Sequence, residues 1–349
     1  MSATLKDVAA LAGVSLTTAS HALNDKPVNE HTREKVNAAA KKLKYHTSAI
    51  GRNLITNKSN TIGMFIINSN RTTDMTEEIS YYYAMLKGAL SSIQQHDYVF
   101  NFEVVYWEDI DDKNFIAKKV FSRAIDGMIL VPQFMYHYSF MSLLEEEKFP
   151  YVIINPSISI RPENTVRIDN YRGGYLAADY LLSLGHKDMT FINGPENHKD
   201  SYDRERGFLS RLLESGFRFD RNNIVYSDFT NEGGYAAAKE LLTNAGRRPT
   251  AIFCSNDYMA SGAMTAVSEA GLKVPGDMSL MGYDDTDIAR CIYPGLTTMR
   301  SAVKELGFMA AERVLELVDR RGNNPEELTA LGEIVLEPTL VKRGSTAQF

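Results

Sequence analysis

The sequence contains few of the features that mark secreted, membrane-spanning or metal-binding proteins. Only two of its 349 residues are cysteines, Cys254 and Cys291, and their spacing fits no zinc motif, so we expect buried thiols in a reducing cytoplasm. No apolar run approaches the roughly 18 residues of a membrane-spanning helix, and none is predicted. The polar N-terminus shows no signal peptide, which again indicates a cytoplasmic protein.

Signature motifs of enzymes are also missing. The chain has no P-loop and no GxSxG turn, and its seven histidines are scattered rather than clustered with the cysteines. We therefore predict no cofactor, no metal and no catalytic activity. The alternatives are an enzyme that uses paired carboxylates, as glycosidases do, and a ligand-binding module without any DNA function. Neither alternative accounts for the N-terminal segment of the chain.

Residues 5–24 predict two short helices joined by a tight turn, with the sequence LKDVAALAGVSLTTASHALN. Thr4 and Asp7 have the spacing of a capping box at the start of the first helix. Gly13 can adopt a positive φ and end that helix, and Ser15 can cap the next one. A third helix with an alanine-rich inner face follows. The pattern predicts a helix-turn-helix unit whose second helix enters the major groove of DNA.

Charge separates this N-terminal segment from the rest of the chain. Residues 1–60 contain nine Lys or Arg and four Asp or Glu, a net charge of +5, whereas the whole chain carries −6. A helical hairpin that only packs against the protein would not need this asymmetry. A basic segment attracts the phosphate backbone and releases its counterions, so the charge supports DNA binding.

The same residues carry a family resemblance. LKDVAALAGVS, TTASHALN and TREKVNAAAKKLKYHTSAIGRNL resemble the N-terminus of LacI/GalR-family transcription regulators, and the resemblance covers essentially the whole chain. It implies a homodimeric repressor that binds a pseudopalindromic operator in double-stranded DNA and responds to a small effector, most simply a sugar. The residues expected to contact DNA in the head are Ser15, Leu16, Thr17, Ser20, His21, Asn24 and Thr32.

Residues 47–60 are the expected hinge between the DNA-binding head and the body. The resemblance implies that this segment forms a short helix on DNA and that Leu54 wedges between base pairs in the minor groove; the alternative is a linker residue that touches the body. Thr47 and Gly51 replace the proline and alanine of many relatives, and Gly51 should cost a helix about 1 kcal/mol. His21 replaces an arginine, so we expect a different preference at the matching base.

From residue 61 onward, short apolar runs alternate with helical segments. Seven runs read as buried strands, at 62–68, 98–106, 127–132, 151–155, 189–194, 251–256 and 278–285. This alternation predicts an α/β body with parallel sheets covered on both faces. The resemblance implies two lobes, as in periplasmic binding proteins.

The predicted domains are therefore 1–46, 47–60 and 61–349. Within the body, lobe 1 is expected at about 61–168 and 296–321, and lobe 2 at about 169–295 and 322–349. Chain crossings between the lobes are expected near 168–171, 293–300 and 320–324.

The candidate effector site lies where strands end, since ligands of open α/β sheets bind there. The residues expected to contact the effector, by strand-end position and by resemblance, are Tyr81, Tyr82, Arg204, Phe229, Asn256 and Asp284. Carboxylates, amides and guanidinium groups suit a sugar, although a nucleobase, a nucleoside or a sugar phosphate remains an alternative.

Each of these residues also has a structural explanation. The aromatic residues can belong to the core or to a dimer interface. Asp257 and Asp285 can cap helices, and Arg206 can form a surface ion pair. The tail LVKRGSTAQF has no leucine heptad, so we expect dimers rather than coiled-coil tetramers.

Overall fold

The chain divides into two compact units in the computed structural model. The structure describes residues 3–24, 26–45, 58–68, 79–111, 114–134, 140–156, 164–216, 223–244, 248–323 and 331–349. One unit comprises residues 1–60 with 121–126, and the other comprises 61–120 with 127–349. No helix in these ranges is long and apolar enough to cross a membrane.

The first unit contains the predicted helix-turn-helix. Its helices are α1 (Leu5–Ala12), α2 (Leu16–Leu23) and α3 (Glu30–Lys42). The capping box of Thr4 and Asp7 forms, and Gly13 ends α1 with φ of 65°. Ser15 caps α2 by accepting a hydrogen bond from the Thr18 amide. The helices enclose a small core of Val8, Ala9, Ala19, Ala22, Val36, Ala39 and Ala40.

The second unit is built on two six-stranded sheets, as predicted. The first sheet has the order β11-β5-β4-β3-β1-β2 and defines lobe 1. Its strands are β1 (Thr61–Asn68), β2 (Val99–Tyr106), β3 (Gly127–Pro132), β4 (Tyr151–Ile154), β5 (Asn164–Ile168) and β11 (Gly332–Leu336). All its strand pairs are parallel. Every residue of β3 is buried, because helices cover both faces of a parallel sheet.

The second sheet defines lobe 2 and has the order β12-β10-β9-β8-β6-β7. Its strands are β6 (Met189–Asn193), β7 (Ile224–Tyr226), β8 (Ala251–Cys254), β9 (Ser279–Asp284), β10 (Thr297–Arg300) and β12 (Thr339–Val341). Only β12 runs antiparallel to its neighbour among these described strands. Cys254 is buried in β8 as expected, whereas Cys291 is exposed, so that prediction was wrong for Cys291.

Helices cover the two sheets. In lobe 1 these are α4 (Ile79–Ile93), α5 (Trp107–Asp111), α6 (Asn114–Phe121), α7 (Met141–Glu146) and α13 (Val303–Asn323). In lobe 2 they are α8 (Asn170–Ser183), α9 (Lys199–Glu214), α10 (Asn231–Asn244), α11 (Asp257–Glu269) and α12 (Asp287–Cys291). Helices α8 and α9 pack unusually closely, since a Cβ atom on Gly207 would lie 1.8 Å from the Tyr171 carbonyl oxygen.

The lobe boundaries differ from the prediction at two of three crossings. β5, the strand before the first predicted crossing, ends at Ile168. β10 pairs with β9 in lobe 2, and β11 pairs with β5 in lobe 1. The second crossing therefore lies after Arg300, not at 293–300, and the third lies after Leu336, not at 320–324. The predicted boundary at 296 was wrong because β10 was not recognised as a strand of lobe 2, and the boundary at 321 was wrong because β11 was not recognised as a strand of lobe 1.

Candidate functional site

A pocket of about 460 Å³, its open mouth included, lies between the two lobes. Its walls consist of Tyr81, Tyr82, His198, Asp200, Arg204, Phe229, Asn256, Tyr258, Asp284 and Thr286. The fold thus gathers all six predicted effector residues around one cavity. Their contact with an effector stays a prediction.

Arg204 is the buried cation of this pocket, and its neighbours fix its orientation. Its Nε donates to Asn170 Oδ1 at 2.9 Å, and its Nη1 donates to the Ser255 carbonyl at 2.6 Å. Its guanidinium carbon lies 3.8 Å from the ring centre of Tyr283. These contacts leave Nη2 with remaining hydrogen-bonding capacity at the pocket.

Two carboxylates lie near that nitrogen, but neither is close enough to form a hydrogen bond with it. Arg204 Nη2 lies 3.8 Å from Asp284 Oδ1 and 3.9 Å from Asp200 Oδ2. Both separations are longer than a hydrogen bond. A hydroxyl group placed between them could accept from Arg204 and donate to Asp284. The arrangement therefore suits a ligand with hydroxyl groups better than a closed ion pair would.

Burial dominates the ionisation of these groups. It raises the pKa of Asp284 and of Asp200, while the Arg204 charge opposes the rise in both. Burial, together with the nearby Arg204 charge, lowers the pKa of His198 to about 3. His198 is therefore neutral at pH 7, and its imidazole offers one donor and one acceptor.

Buried polar atoms without a hydrogen-bond partner concentrate around the pocket. Among the described residues they include His198 Nδ1, Ser201 Oγ, Ser255 Oγ and Asp284 Oδ1. Such an atom costs about 1 to 3 kcal/mol when nothing satisfies it, so each marks a place for a polar ligand atom or an ordered water. No group of three or more His, Cys, Asp or Glu within the described ranges could hold a metal ion.

Asn256 positions Phe229 as well as lining the pocket. Its Oδ1 accepts from the Met259 amide at 2.8 Å and caps α11, and its Nδ2 donates to the Phe229 carbonyl at 2.8 Å. Phe229 has φ of 70°, which is uncommon for a bulky residue and is sustained here by its surroundings. Its ring packs edge-on against His198, with centroids 4.9 Å apart. Asn256 thus carries a structural role that the sequence pattern did not reveal.

The pocket residues missed from the sequence are His198, Asp200, Tyr258 and Thr286. The strand-end rule could have found them, because each follows a strand of lobe 2 within a short turn or at the start of a helix. Their own sequence carries no further signal, since single polar residues at helix starts are common caps.

For Asp257, Asp285 and Arg206 the sequence also allowed purely structural roles, and the structure shows what each side chain contacts. The N-cap of α11 is Asn256, whereas the buried Asp257 accepts from Thr298 Oγ1 at 2.6 Å and from the Thr286 amide at 2.7 Å. Asp285 forms ion pairs with Arg290, Arg300 and Arg343. Arg206 lies over the rings of Tyr171 and Tyr202, at 5.7 and 5.5 Å from their centres.

The predicted DNA-contacting residues of the head differ in how far they are exposed to solvent. Leu16 and Thr17 are exposed on α2, with Leu16 46% exposed, and Ser15 is exposed at its cap. Ser20, His21, Asn24 and Thr32 are half-buried. Asn24 donates through Nδ2 to the Ser20 carbonyl at 2.7 Å, which ends α2. Leu54 lies outside the described residues. All these DNA contacts stay predictions.

Comparison with known proteins extends the match to the whole chain. Residues 4–48 match the bacterial regulatory proteins of the lacI family, and residues 178–346 match the periplasmic binding protein-like domain. The chain is 33% identical to the probable HTH-type transcriptional repressor ExuR of Bacillus subtilis, covering 97% of this chain and 98% of the relative. It is 35% identical to the HTH-type transcriptional repressor PurR of Klebsiella pneumoniae, covering 99% and 97%.

Solved structures give the same result. The Lac repressor dimer bound to operator and the anti-inducer ONPF superposes with a TM-score of 0.83 at 25% identity, covering 99% of this chain and 100% of that one. The CelR–cellobiose complex gives 0.71 at 27% identity, covering 98% and 99%. A LacI-family regulator from Enterococcus faecium with bound ribose gives 0.68 at 28% identity, covering 83% and 99%.

The relatives are transcriptional repressors, and both the DNA-binding and the ligand-binding parts of their architecture are present here. The chain belongs to the LacI family of bacterial regulatory proteins, with an N-terminal helix-turn-helix domain followed by a periplasmic-binding-protein-like effector domain.

Proposed function

We propose that the chain is a homodimeric repressor whose affinity for a pseudopalindromic operator is controlled by a sugar bound between its two lobes. The observation that carries the sugar assignment is the gap of 3.8 Å between Arg204 Nη2 and the unpartnered Asp284 Oδ1. A sugar hydroxyl both donates and accepts, so it can satisfy both groups at once.

The rest of the pocket supports a hydroxylated ring. Phe229 and Tyr81 supply apolar ring surface from opposite lobes, and His198 Nδ1 supplies another polar partner. Few polar groups among apolar walls is the usual composition of a small-molecule site. Cellobiose and ribose occupy two of the structural relatives, which also favours a saccharide for this chain.

Control of DNA binding follows from the two-lobed construction. The pocket takes Tyr81 and Tyr82 from lobe 1 and its other walls from lobe 2, so effector affinity depends on how the lobes are arranged. A ligand that prefers one arrangement shifts the population toward it. In a dimer, two heads would bind two half-sites, and the effector would change operator affinity through this coupling.

A thermal-shift experiment on the full-length protein tests the effector assignment. The panel consists of ribose, cellobiose, glucose 6-phosphate, hypoxanthine and adenosine. Binding to the native state alone adds about 2.7 kcal/mol of stability at 100 times Kd, so a true effector raises Tm measurably. We expect a neutral sugar to do so, Asp284→Asn to abolish the shift, and Asp319→Asn, an exposed carboxylate on α13, to retain it.

Other outcomes of that panel are decisive as well. A shift with hypoxanthine or adenosine alone would replace the sugar assignment by a nucleobase or nucleoside one. A shift with glucose 6-phosphate alone would favour a sugar phosphate. A sugar-induced shift that Asp284→Asn leaves intact would remove Asp284 from the site and contradict the proposal.

A further inference from the structure

Three consecutive residues at the start of α9 contact lobe 1 although they belong to lobe 2. We call His198, Lys199 and Asp200 the interlobe strap. His198 forms an antiparallel bridge with Phe134, which follows β3. The Lys199 amide donates to the Gln133 carbonyl at 3.4 Å. Through these backbone contacts the strap joins the carboxyl end of a lobe 1 strand to the first turn of a lobe 2 helix.

The third strap contact is between side chains and is buried. Asn155, directly after β4 in lobe 1, donates through Nδ2 to Asp200 Oδ2 at 3.1 Å. Asn155 is 9% exposed and Asp200 is 6% exposed. A hydrogen bond to a buried carboxylate is stronger than one between neutral groups and is costly to leave unmade.

Asn155 is oriented for this contact by its other bonds. Its side-chain Oδ1 accepts from the Ile168 backbone amide at 2.9 Å, and its backbone amide donates to the Val166 carbonyl at 3.1 Å. Its φ is 47°, in the left-handed region that asparagine tolerates better than most residues. With the side-chain oxygen committed to β5, the amide nitrogen is the atom left for Asp200.

The strap also forms part of the pocket wall. His198 and Asp200 both line the cavity, and Asp200 Oδ2 is the atom that lies 3.9 Å from Arg204 Nη2. The His198 ring packs between Phe134 of lobe 1 and Phe229 of lobe 2, at centroid distances of 5.5 and 4.9 Å. His198 and Asp200 therefore contact lobe 1 and also line the pocket.

We propose that Asn155 is a positioning residue and that its hydrogen bond to Asp200 is the side-chain latch between the lobes, holding them in the arrangement that completes the effector pocket. The inference rests on the proposed function only in that the latched arrangement is taken to be the one that binds the effector. An effector that contacts Tyr81 or Tyr82 as well as the lobe 2 walls binds the latched arrangement more tightly, because the walls from both lobes meet only there. Such differential affinity is what a switch requires.

The latch is tested by measuring the distance between the lobes without any ligand or DNA. Spin labels are placed at Lys118→Cys on α6 and Glu240→Cys on α10, both exposed, in a Cys291→Ser background. Full-length labelled protein is mixed with excess unlabelled chain, so that distances within one protomer dominate. Distance distributions are recorded by double electron–electron resonance at pH 8, with circular dichroism and Tm as checks of folding.

Three variants separate the latch from a general structural role. Asn155→Asp keeps the oxygen that accepts from Ile168 but sets a second carboxylate against Asp200. Removing the donor leaves the buried Asp200 oxygen without its partner, which should raise the unlatched population roughly tenfold or more, so we expect longer distances. Asp200→Asn keeps an acceptor for Asn155 and the parent distance. The double variant Asn155→Asp with Asp200→Asn reverses donor and acceptor and should restore the parent distance.

Two results would overturn the latch. One is a folded Asn155→Asp variant whose distance distribution matches the parent. The other is a double variant that folds but stays at the longer distance, and this arm decides the matter even if Asn155→Asp alone does not fold. Neither readout uses effector or operator, so failure of the latch is distinguishable from failure of the proposed function.

Discussion

At the scale of single residues, the geometry of one guanidinium group determines what the pocket can bind. The Nε and Nη1 atoms of Arg204 donate to Asn170 and to the Ser255 carbonyl, and its Nη2 atom points toward the carboxylates. A lysine would keep the charge but could not reproduce three fixed directions. The pocket depends on the shape of this cation as much as on its charge.

Arg204→Lys should therefore abolish the thermal shift produced by whichever panel compound binds the parent. The matched control is Arg206→Lys, two residues further along α9, where the arginine lies over exposed tyrosine rings outside the pocket. The control should keep the full shift. Equal losses in the two variants would show that Arg204 acts through helix stability and not as a ligand contact.

Asp257 makes stability depend on pH. Burial, together with the nearby Asp284 charge, raises its pKa from 3.8 to about 8. Between about pH 4 and pH 8 the folded state holds a proton that the unfolded state has released, so stability falls as pH rises through this window. Asn at this position can still accept from Thr286 and can donate to Thr298.

We therefore expect Asp257→Asn to flatten the dependence of Tm on pH between 5 and 8, and to raise Tm relative to the parent most at the alkaline end. Thermal melts of both proteins at unit intervals of pH test this. Parallel curves would mean that Asp257 is ionised in the folded protein across the whole range.

At the scale of elements, α8 and α9 form the support of the pocket. A Cβ on Gly174 would lie 1.9 Å from the Arg204 carbonyl, and one on Gly207 would lie 1.8 Å from the Tyr171 carbonyl. Neither backbone can yield without moving a helix. The close approach of these two helices sets the position of the buried arginine.

Gly207→Ala should lower the free energy of unfolding by about 1 to 3 kcal/mol, as overpacking does. Gly276→Ala is the control, because a Cβ there meets nothing nearer than 3.6 Å, and it should stay within about 0.5 kcal/mol of the parent. Urea unfolding of the full-length protein measures both. Similar values for the two variants would contradict the close packing of α8 on α9.

The second helix of the head, α2, carries the least typical residue of the expected DNA-contacting set. Introducing arginine at His21 provides a bidentate donor for guanine, and a good bidentate pair is worth about 1 to 3 kcal/mol of discrimination. We expect His21→Arg to change base preference at one symmetric pair of operator positions, measured by selection from random duplex DNA. His31→Arg, an exposed change of the same kind on α3, should strengthen binding without altering preference.

The elements that sequence patterns predict are those with one strong local signal. The head was predicted because caps and an alanine face are local, and strands such as β1, β3 and β8 were predicted because they are buried along nearly their whole length. The strands β5, β7 and β10 were not predicted. β11 and β12 were missed because edge strands are half-exposed, with Glu333 and Val335 of β11 facing solvent. Because β10 and β11 were not recognised, two lobe crossings were misplaced by a few residues to more than ten.

The candidate site shows the same limit. Arg204 and Asp284 were predictable because a strand end and a family motif both mark them. The bond from Asn256 to the Phe229 carbonyl and the link from Asn155 to Asp200 were not, because each joins segments that only the tertiary fold brings together. A sequence read along one dimension contains no direct signal for such contacts.

At the scale of the whole molecule, a basic DNA-binding head of net charge +5 precedes an acidic two-lobed effector domain. The head supplies attraction to phosphates, and under the proposed function the pocket supplies a ligand-dependent preference for one lobe arrangement. The two functions are coupled only if effector binding changes operator affinity, which linkage then makes reciprocal.

The most direct test is operator affinity with and without effector. An operator is selected from random duplex DNA with full-length protein, and its Kd is measured by fluorescence anisotropy at fixed salt, alone and with each panel compound that raises Tm. We predict that a sugar changes the operator Kd by at least about 5-fold, a typical coupling, and that Asp284→Asn removes this change. Selective operator binding that no bound compound alters would contradict the account.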